Sequence, residues 1–318
     1  MYFLVTLVRN LLFDLGILKS KRFDIPIISV GNITVGGTGK TPHIEYFIRE
    51  FSQDKRVAVL SAGYKRKSSG FIIADESSTA QTVGDEPFQI FCKFEQIIVA
   101  VDRNRVQAIE NLLALPCPPD VILLDDAFQY RKLTPSKQIV LVDYNRPVFN
   151  DRILPCGRLR EGCRGLKRAN SVIVTKCPNN LSQQERIFWK EQLKLPQNID
   201  LQFSTFDFFP LKNIFSHEEL NINKSYNFLV VTGVVSAKSL YEYLGKFAHK
   251  IEKLEFADHH DFSEKDIKKI EQFFLNLPQS NSCIIVTEKD AARLIHNRYI
   301  TDNIKKKIFS VEIKVRFL

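Results

Sequence analysis

The apolar positions of this chain alternate along most of its length between short continuous runs and helical spacing. The continuous runs are typical of fully buried parallel strands, and they read "IPIISV", "RVAVLS", "QIIVAV", "VILLDD", "QIVLVD" and "SVIVT". The segment "HIEYFIREF" instead has apolar residues at helical spacing, at positions Ile44, Phe47, Ile48 and Phe51. Helices are also predicted in "RVQAIENLLAL" and "LSQQERIFWKEQLKL". Strands that alternate with helices predict an α/β fold with a mostly parallel sheet and helices on both faces.

The last third of the chain predicts a second, smaller α/β domain. Its predicted strands are "FLVVTG", "HKIEKLEF" and "CIIVTEK". Two further segments, "DLQFSTFDFF" and "KIFSVEIKVRFL", alternate like strands and are predicted to pair as a connector. The predicted boundaries are therefore 1–200 for the first domain, 201–212 and 306–318 for the connector, and 213–305 for the second domain.

A glycine-rich segment, "SVGNITVGGTGKTP", follows the first predicted strand and precedes the first of these predicted helices. It resembles the phosphate-loop pattern G-x-x-x-x-G-K-[ST], in which backbone amides hold phosphates, the lysine reaches the outer ones and the hydroxyl binds magnesium. Thr34 stands where the pattern has its first glycine, and the glycines after it can supply the turn instead. The predicted nucleotide contacts are Thr34, Val35, Gly36, Gly37, Thr38, Gly39, Lys40 and Thr41. The context predicts a P-loop NTPase-type sheet, and the alternative is a strand-to-helix turn that binds nothing.

Two carboxylates end the apolar run "VILLDD". Asp125 and Asp126 come where a parallel strand would reach the edge of the sheet at which α/β proteins bind ligands. An acidic pair at the end of a strand is often only a turn. After a phosphate loop, however, it predicts a magnesium site formed by Asp125 and Thr41.

Composition and charge restrict the class of protein. With 318 residues, of which 44% are hydrophobic and 25% charged, the chain can bury the cores of two domains. Its six cysteines form no C-x-x-C pair, which predicts reduced thiols in a cytosolic protein. The formal charge of +9 predicts an anionic partner: nucleic acid, an acidic membrane surface or a phosphorylated substrate.

The N-terminal segment predicts an amphipathic helix with a narrow polar stripe. Thr6, Asn10 and Asp14 recur at four-residue spacing beside Arg9, and most other positions up to residue 18 are apolar. The charged residues interrupt the stretch too early for a spanning helix of about 20 apolar residues, and no basic residue precedes it as in a signal peptide. Two alternatives stay open: a helix packed on the core, or a helix in the membrane interface followed by the basic residues Lys19, Lys21 and Arg22.

Seven ordered motifs make the chain resemble the tetraacyldisaccharide 4'-kinase family over nearly its whole length. They are "VGNITVGGTGKTP", "VGDEP", "VDRNR", "LLDDAFQ", "LPCGRLRE", "DHHDF" and "VTEKDAARL". The family also has threonine at the position of Thr34. The chain departs from the family at Ala62, where an arginine is usual, and at Tyr130, where a histidine is usual.

The resemblance implies an ATP- and Mg²⁺-dependent kinase that phosphorylates the 4'-hydroxyl of tetraacyldisaccharide 1-phosphate to form lipid IVA in lipid A biosynthesis. It also implies a peripheral location at the cytoplasmic face of the inner membrane. The expected partners are the lipid A precursor and the anionic membrane surface, without nucleic acid and without an obligate protein partner.

Each role in this reaction falls, by resemblance, on a motif residue. Lys40 is assigned to the ATP phosphates, Asp85 to the proton of the attacking hydroxyl, and His259 to the orientation or tuning of Asp85, with His260 as the alternative. A zinc site at this histidine pair lacks further ligands at suitable spacing. The implied substrate-binding residues are Arg103, Asp126, Gln129, Arg160 and Glu161, and the neighbouring Arg105 and Arg158 are further candidates for anionic groups.

Two rival functions are alternatives to this one. A P-loop GTPase or metallochaperone would need a guanine-reading [NT]-K-x-D segment, but "VTKCP" has Pro178 where the aspartate should stand. A nucleic-acid-binding ATPase would explain the positive charge, but the sequence contains no recognisable nucleic-acid-binding motif. Both remain alternatives to the kinase.

Overall fold

The structure, a computed structural model, describes residues 2–220, 222, 225–234, 237–258, 260–278 and 280–318, with side chains from residue 5 onward. The chain divides into two compact units. The first unit contains Met1–Asp207 and Val315–Leu318, and the second contains Phe208–Lys314.

The first unit alternates strands and helices, as the apolar pattern predicts. Two short 3-10 helices, Val148–Asn150 and Cys163–Arg168, lie between the strands Lys137–Asp143 and Ser171–Thr175. Its other elements are α1 (Tyr2–Asp14), β1 (Ile27–Asn32), α2 (Lys40–Phe51), β2 (Val57–Ser61), β3 (Ile72–Ile73), α3 (Ala80–Val83), α4 (Asp85–Lys93), β4 (Ile98–Val101), α5 (Arg105–Leu113), β5 (Val121–Asp125), β6 (Lys137–Asp143), β7 (Ser171–Thr175), α6 (Gln183–Leu193) and the first part of β8 (Asp200–Asn213).

The sheet of the first unit has the strand order β8, β7, β6, β1, β5, β2, β4, β3. Every pairing along this order is parallel except that of β3 with β4. The carboxyl ends of the parallel strands β7, β6, β1 and β5 therefore lie together at one edge, where ligands bind in open α/β sheets.

Alternate side chains of the buried strands contact helices on opposite faces of this sheet, because successive residues of a strand point to opposite sides. In β5, Leu123 lies in one cluster with Ile44 of α2. Leu124, the next residue, lies in another cluster with Ile109 of α5. A strand buried on both faces needs a continuous apolar run, which explains why the sequence pattern locates these strands so well.

The second unit is a smaller α/β sheet. Its strands β11, β10, β12 and β13 are parallel neighbours, and β9 pairs with β8 in antiparallel fashion. Strands β8 and β13 each carry residues of both units. The elements are β9 (Glu219–Leu220), β10 (Tyr226–Thr232), α7 (Lys238–Leu244), β11 (Ala248–Glu255), α8 (Glu264–Leu275), β12 (Ser282–Val286), α9 (Glu288–Leu294), α10 (Asp302–Lys305) and β13 (Ile308–Phe317).

Candidate active site

The glycine-rich segment forms the loop between the end of β1 and the start of α2. Gly39 precedes α2 with φ 87°, a left-handed conformation that favours glycine. Among the described residues, no side chain caps the first turn of α2, so its N-terminal amides keep their capacity to bind an anion. Inside the loop, the Asn32 amide donates to the hydroxyl oxygen of Thr38 over 2.9 Å. The loop is thus a fixed cradle at the positive end of a helix.

A second motif, "LPCGRLRE", packs directly against this loop. The N–H of Val35 donates to the carbonyl of Arg158 over 2.8 Å, and the N–H of Arg160 donates to the carbonyl of Ile33 over 2.7 Å. Thr34 and Leu159 form an antiparallel bridge between them. The main chain of the second motif therefore holds the first part of the phosphate loop, while the Arg158 side chain is exposed.

Two carboxylates with different environments lie at the end of β5. Asp125 is buried and accepts a hydrogen bond from the Ser61 hydroxyl over 3.2 Å. Burial, and then the charge of Asp126, raise the pKa of Asp125 to about 6. Burial would raise the pKa of Asp126 too, but the charges of Lys40 and Arg160 outweigh it and hold that pKa below its ordinary value. Asp126 is therefore the carboxylate already neutralised by cations.

Lys40 is brought to this acidic pair by the start of α2. Its Nζ lies 3.7 Å from Oδ2 of Asp126. Nη1 of Arg160 lies 2.9 Å from the same oxygen and 3.0 Å from the other carboxylate oxygen. Two cations from separate motifs thus meet at one carboxylate, which is the kind of site that binds a phosphoryl group.

Thr41 and Asp125 provide the donors that Mg²⁺ prefers. Thr41 lies in the first turn of α2 with a buried side chain, and Asp125 offers a buried carboxylate at the end of β5. Hydroxyl and carboxylate oxygens are hard ligands, and Mg²⁺ is commonly held by one or two of them together with phosphates and waters. The residues present therefore fit the ion.

Gln129 and Glu161 belong to one buried hydrogen-bond network. The Gln129 amide donates to the carbonyl of Asn32 over 2.8 Å and to Oε1 of Glu161 over 2.9 Å. Arg168 donates to Oε2 of Glu161 over 2.7 Å. Arg160 lies at the edge of this network, 3.5 Å from the amide oxygen of Gln129. The structure therefore brings together four of the five predicted substrate-binding residues, while Arg168 was missed by sequence reasoning.

Arg103, the fifth of these residues, lies in the connection between β4 and α5 with an exposed side chain. Its neighbour Arg105 is buried, and its guanidinium lies 5.2 Å from the ring centre of Tyr130. Burial lowers the pKa of Arg105, opposed first by the charge of Asp125. Arg105 is thus the arginine of "VDRNR" that faces the acidic pair. Tyr130 supports the arginine and donates to the Asn104 side chain over 3.1 Å.

Asp85 is the first residue of α4 and is half-buried. Gly84 before it has φ 96°, and Pro87 falls in the first helical turn, where a missing N–H is tolerated. From sequence alone, an Asp-Glu pair before a proline is as readily a turn, and the structure shows the start of a helix. The charge of Glu86 contributes to the raised pKa of Asp125, so the first turn of α4 lies on the side of the acidic pair.

Of the pair His259 and His260, the structure describes His260. His259 lies outside the described residues. In the second unit, Nε2 of His260 lies 3.0 Å from the Asp266 carboxylate, and its ring stacks on Phe256 with 4.6 Å between ring centres. Asp266 also bonds Ser263 at the start of α8. The His260 side chain is therefore engaged in the structure of its own unit.

Among the described side chains of α1, the polar stripe contacts the protein and most apolar residues face outward, whereas Leu12 and Phe13 are half-buried. Thr6 is buried, Asn10 lies 3.5 Å from Glu161, and Arg131 donates to Asp14 over 2.8 Å. The exposed apolar side chains of this region are those of Val5, Leu7, Val8, Leu11, Leu15, Ile17 and Leu18. No helix among the described residues combines the length and the hydropathy needed to cross a bilayer.

Comparison with known proteins identifies relatives of this chain. The family model described as tetraacyldisaccharide-1-P 4'-kinase matches residues 1–317. The chain is 45% identical over 316 residues to a tetraacyldisaccharide 4'-kinase of Phocaeicola vulgatus, covering 98% of this chain and 86% of that protein. It is 45% identical over 321 residues to one of Flavobacterium psychrophilum, covering 100% of this chain and 90% of the relative.

The fold comparison agrees with the sequence comparison. A crystal structure of LpxK from Aquifex aeolicus in complex with ATP superposes with a TM-score of 0.74 at 28% identity, covering 100% of this chain and 92% of that one. The predicted fold class and the predicted family are thereby confirmed. The comparisons favour neither the GTPase or metallochaperone nor the nucleic-acid-binding alternative.

Proposed function

The chain belongs to the tetraacyldisaccharide-1-P 4'-kinase family, and on this premise we propose that it transfers the γ-phosphoryl group of ATP to the 4'-hydroxyl of tetraacyldisaccharide 1-phosphate. The product is lipid IVA, an intermediate of lipid A biosynthesis. The observation that carries the proposal is the meeting of Lys40, Arg160 and the acidic pair beside the N-terminus of α2. Phosphoryl transfer needs positioned phosphates and neutralised charge more than covalent chemistry.

The phosphate-binding role falls on the loop and Lys40. The amides at the start of α2 bind the phosphates of ATP, and Lys40 exchanges part of its contact with Asp126 for a phosphate oxygen. Arg160 keeps Asp126 neutralised while this happens, because its guanidinium contacts both carboxylate oxygens. Thr41 and Asp125 would hold Mg²⁺, which would neutralise charge on the phosphate oxygens when bound.

Asp85 accepts the proton of the attacking hydroxyl. It lies half-buried at the start of α4, and the adjacent Glu86 is close enough to Asp125 to affect its pKa. His259 orients or tunes Asp85, an assignment supported by the family motif and by the engagement of His260 with Asp266. The 1-phosphate and sugar groups of the acceptor are bound by residues of the Arg103 and Gln129 segments together with Arg160 and Glu161.

The amphiphilic substrate also requires a membrane surface, and α1 supplies the contact. Its polar residues Asn10 and Asp14 are hydrogen-bonded to Glu161 and Arg131. By contrast, Leu7 and Leu11 are about half exposed. A helix with an outward apolar face, followed by basic residues, fits the interface of an anionic bilayer. We therefore propose peripheral binding at the cytoplasmic face of the inner membrane.

The test is a lipid kinase assay with purified protein, Mg-ATP labelled in the γ position and the disaccharide 1-phosphate in detergent micelles. We expect a bisphosphorylated lipid from the wild type. Lys40→Ala and Asp125→Ala should nearly abolish turnover, and Lys190→Ala, an exposed lysine on α6, should retain it. Absence of lipid product from folded wild-type protein would refute the activity, and full activity of either site variant would refute its role.

A further inference from the structure

The end of β7 contacts the phosphate loop through two consecutive residues that have no role in the reaction described above. The Thr175 hydroxyl is fully buried and donates to the carbonyl of Thr38 over 2.9 Å, with a longer contact of 3.3 Å to the carbonyl of Val142. Nζ of Lys176 donates to the carbonyl of Gly37. These are the first two residues of the "TKCP" segment, in which Pro178 removes any resemblance to a guanine-reading motif.

The lysine is held in place by a buried carboxylate. Nζ of Lys176 lies 2.6 Å from Oδ2 of Asp143, the last residue of β6, whose side chain is buried. Lys176 has φ 59°, a left-handed conformation that a lysine rarely adopts. Such a conformation persists where the surroundings determine it. Here the ion pair and the carbonyl contact together fix the ammonium group against the loop.

Holding two carbonyls in this way also fixes the amides that follow them. A peptide group is planar and trans, so its C=O and N–H point in opposite directions. With the carbonyls of Gly37 and Thr38 directed toward β7, the N–H groups of Thr38 and Gly39 point away from β7. The N–H of Thr38 donates to the carbonyl of Gly36 over 3.1 Å, so these contacts aim the N–H of Gly39 at a phosphate. The same contacts keep two negative carbonyl ends away from a bound phosphate. A loop whose carbonyls turned inward would repel an anion instead of binding it.

We infer that Thr175 and Lys176 are positioning residues that set the affinity for ATP by holding the carbonyls of the phosphate loop outward. They act through the loop and do not contact the nucleotide. The inference rests on the proposed placement of the ATP phosphates in this loop. It means that residues at the end of β7, which β6 separates from β1, also determine the affinity for ATP.

The experiment measures the equilibrium dissociation constant of Mg-ATP by calorimetry, together with KM and kcat in the lipid kinase assay. Lys176→Met keeps the side-chain length and removes the charge, and Thr175→Val keeps the shape and removes the donor. Loss of a charge-assisted hydrogen bond predicts roughly 10- to 100-fold weaker ATP binding for Lys176→Met, and loss of a neutral one predicts roughly 2- to 10-fold for Thr175→Val. At saturating ATP, kcat should stay within about twofold, because the reacting groups are unchanged.

A matched lysine separates positioning from general stability. Lys93 lies 2.7 Å from the buried carboxylate of Glu45, in an ion pair of similar length and burial to that of Lys176. Lys93→Met should lower stability comparably and leave the dissociation constant of ATP unchanged. Thr175→Ser retains the hydroxyl and should restore most of the affinity lost in Thr175→Val.

The outcomes that contradict the inference are distinct from those that contradict the site. Wild-type ATP binding in both Lys176→Met and Thr175→Val, while Lys40→Ala binds ATP weakly, would overturn the positioning role and keep the phosphate site. Equal weakening in Lys93→Met would also overturn it, because the effect would then be one of stability. Wild-type ATP binding in Lys40→Ala would overturn the phosphate site and the inference with it.

Discussion

His43 is a buried neutral histidine whose titration should destabilise the first unit in mild acid. It lies on α2 with no solvent exposure. Its Nδ1 lies 2.7 Å from the carbonyl of Gly39, and its Nε2 lies 3.0 Å from the Ser204 hydroxyl. A carbonyl only accepts, so Nδ1 donates to Gly39 and Nε2 accepts from Ser204. The neutral ring satisfies both contacts, and a second proton would remove the acceptor.

The size of the effect follows from the pKa. Burial, opposed by the bond to Gly39, lowers the pKa of His43 from 6.5 to about 4. Because the unfolded chain binds the proton more readily, this stabilisation is complete above pH 6.5 and is lost as the pH falls toward 4. At about 1.36 kcal/mol for each pKa unit, the full loss is about 3 kcal/mol, of which about 2 kcal/mol is lost between pH 7.5 and pH 5.

The assay is urea unfolding at pH 7.5 and pH 5, without nucleotide and with a chelator. Trp189, the only tryptophan, is buried in the first unit, so its fluorescence reports on that unit. Relative to His43→Gln, the wild type should lose about 2 kcal/mol more free energy of unfolding between these pH values. His249→Gln, at an exposed position, should follow the wild type. If His43→Gln also retained the full wild-type pH dependence, the reasoning about its buried neutral ring would be wrong.

Two further predictions concern Asp85, the proposed catalytic carboxylate, and α1. Asp85→Asn should lower kcat about 100- to 10,000-fold with ATP binding preserved, and its combination with His259→Ala should be little worse than the worse single variant, since groups that act as a unit are not additive. Single-turnover kinetics decide this, and losses that multiply would exclude the coupled pair. Leu7→Ser with Leu11→Ser should weaken sedimentation with anionic vesicles more than Leu113→Ser, another exposed leucine of the first unit. Equal vesicle binding by the wild type, the Leu7→Ser/Leu11→Ser double variant and Leu113→Ser would exclude α1 as the membrane contact.

The strands and the phosphate loop could be predicted from sequence because their signals are local. A strand buried on both faces is mostly apolar, and all six continuous runs of the first domain overlap strands of the structure. The loop is defined by glycines and a lysine at fixed spacing. The helix that begins at Asp85 was harder to predict, because a Pro in its first turn and a Gly before it are equally common in turns.

The contacts that complete the site could not be predicted, because they join residues distant in sequence. The pairing of Thr34 with Leu159 and the contact of Arg160 with Asp126 depend on how loops meet at the edge of the sheet. The sequence reasoning preferred Arg103 to Arg105, and only the packing of Arg105 on Tyr130 shows which of the two arginines is exposed and which is buried. The departure of Tyr130 from the family pattern thereby acquires a physical role.

The orientation of α1 links the membrane proposal to the chemistry. Periodicity located the polar stripe but not the side that packs, because that depends on polar partners elsewhere in the first unit. Asn10 contacts Glu161, Glu161 contacts Gln129, and Gln129 donates to the carbonyl of Asn32 at the end of β1. The inward face of α1 is therefore joined by hydrogen bonds to the residues beside the phosphate loop, while its outward face is apolar. With that face in the bilayer interface, as proposed, the residues beside the phosphate loop would be hydrogen-bonded to a helix that lies at the membrane surface.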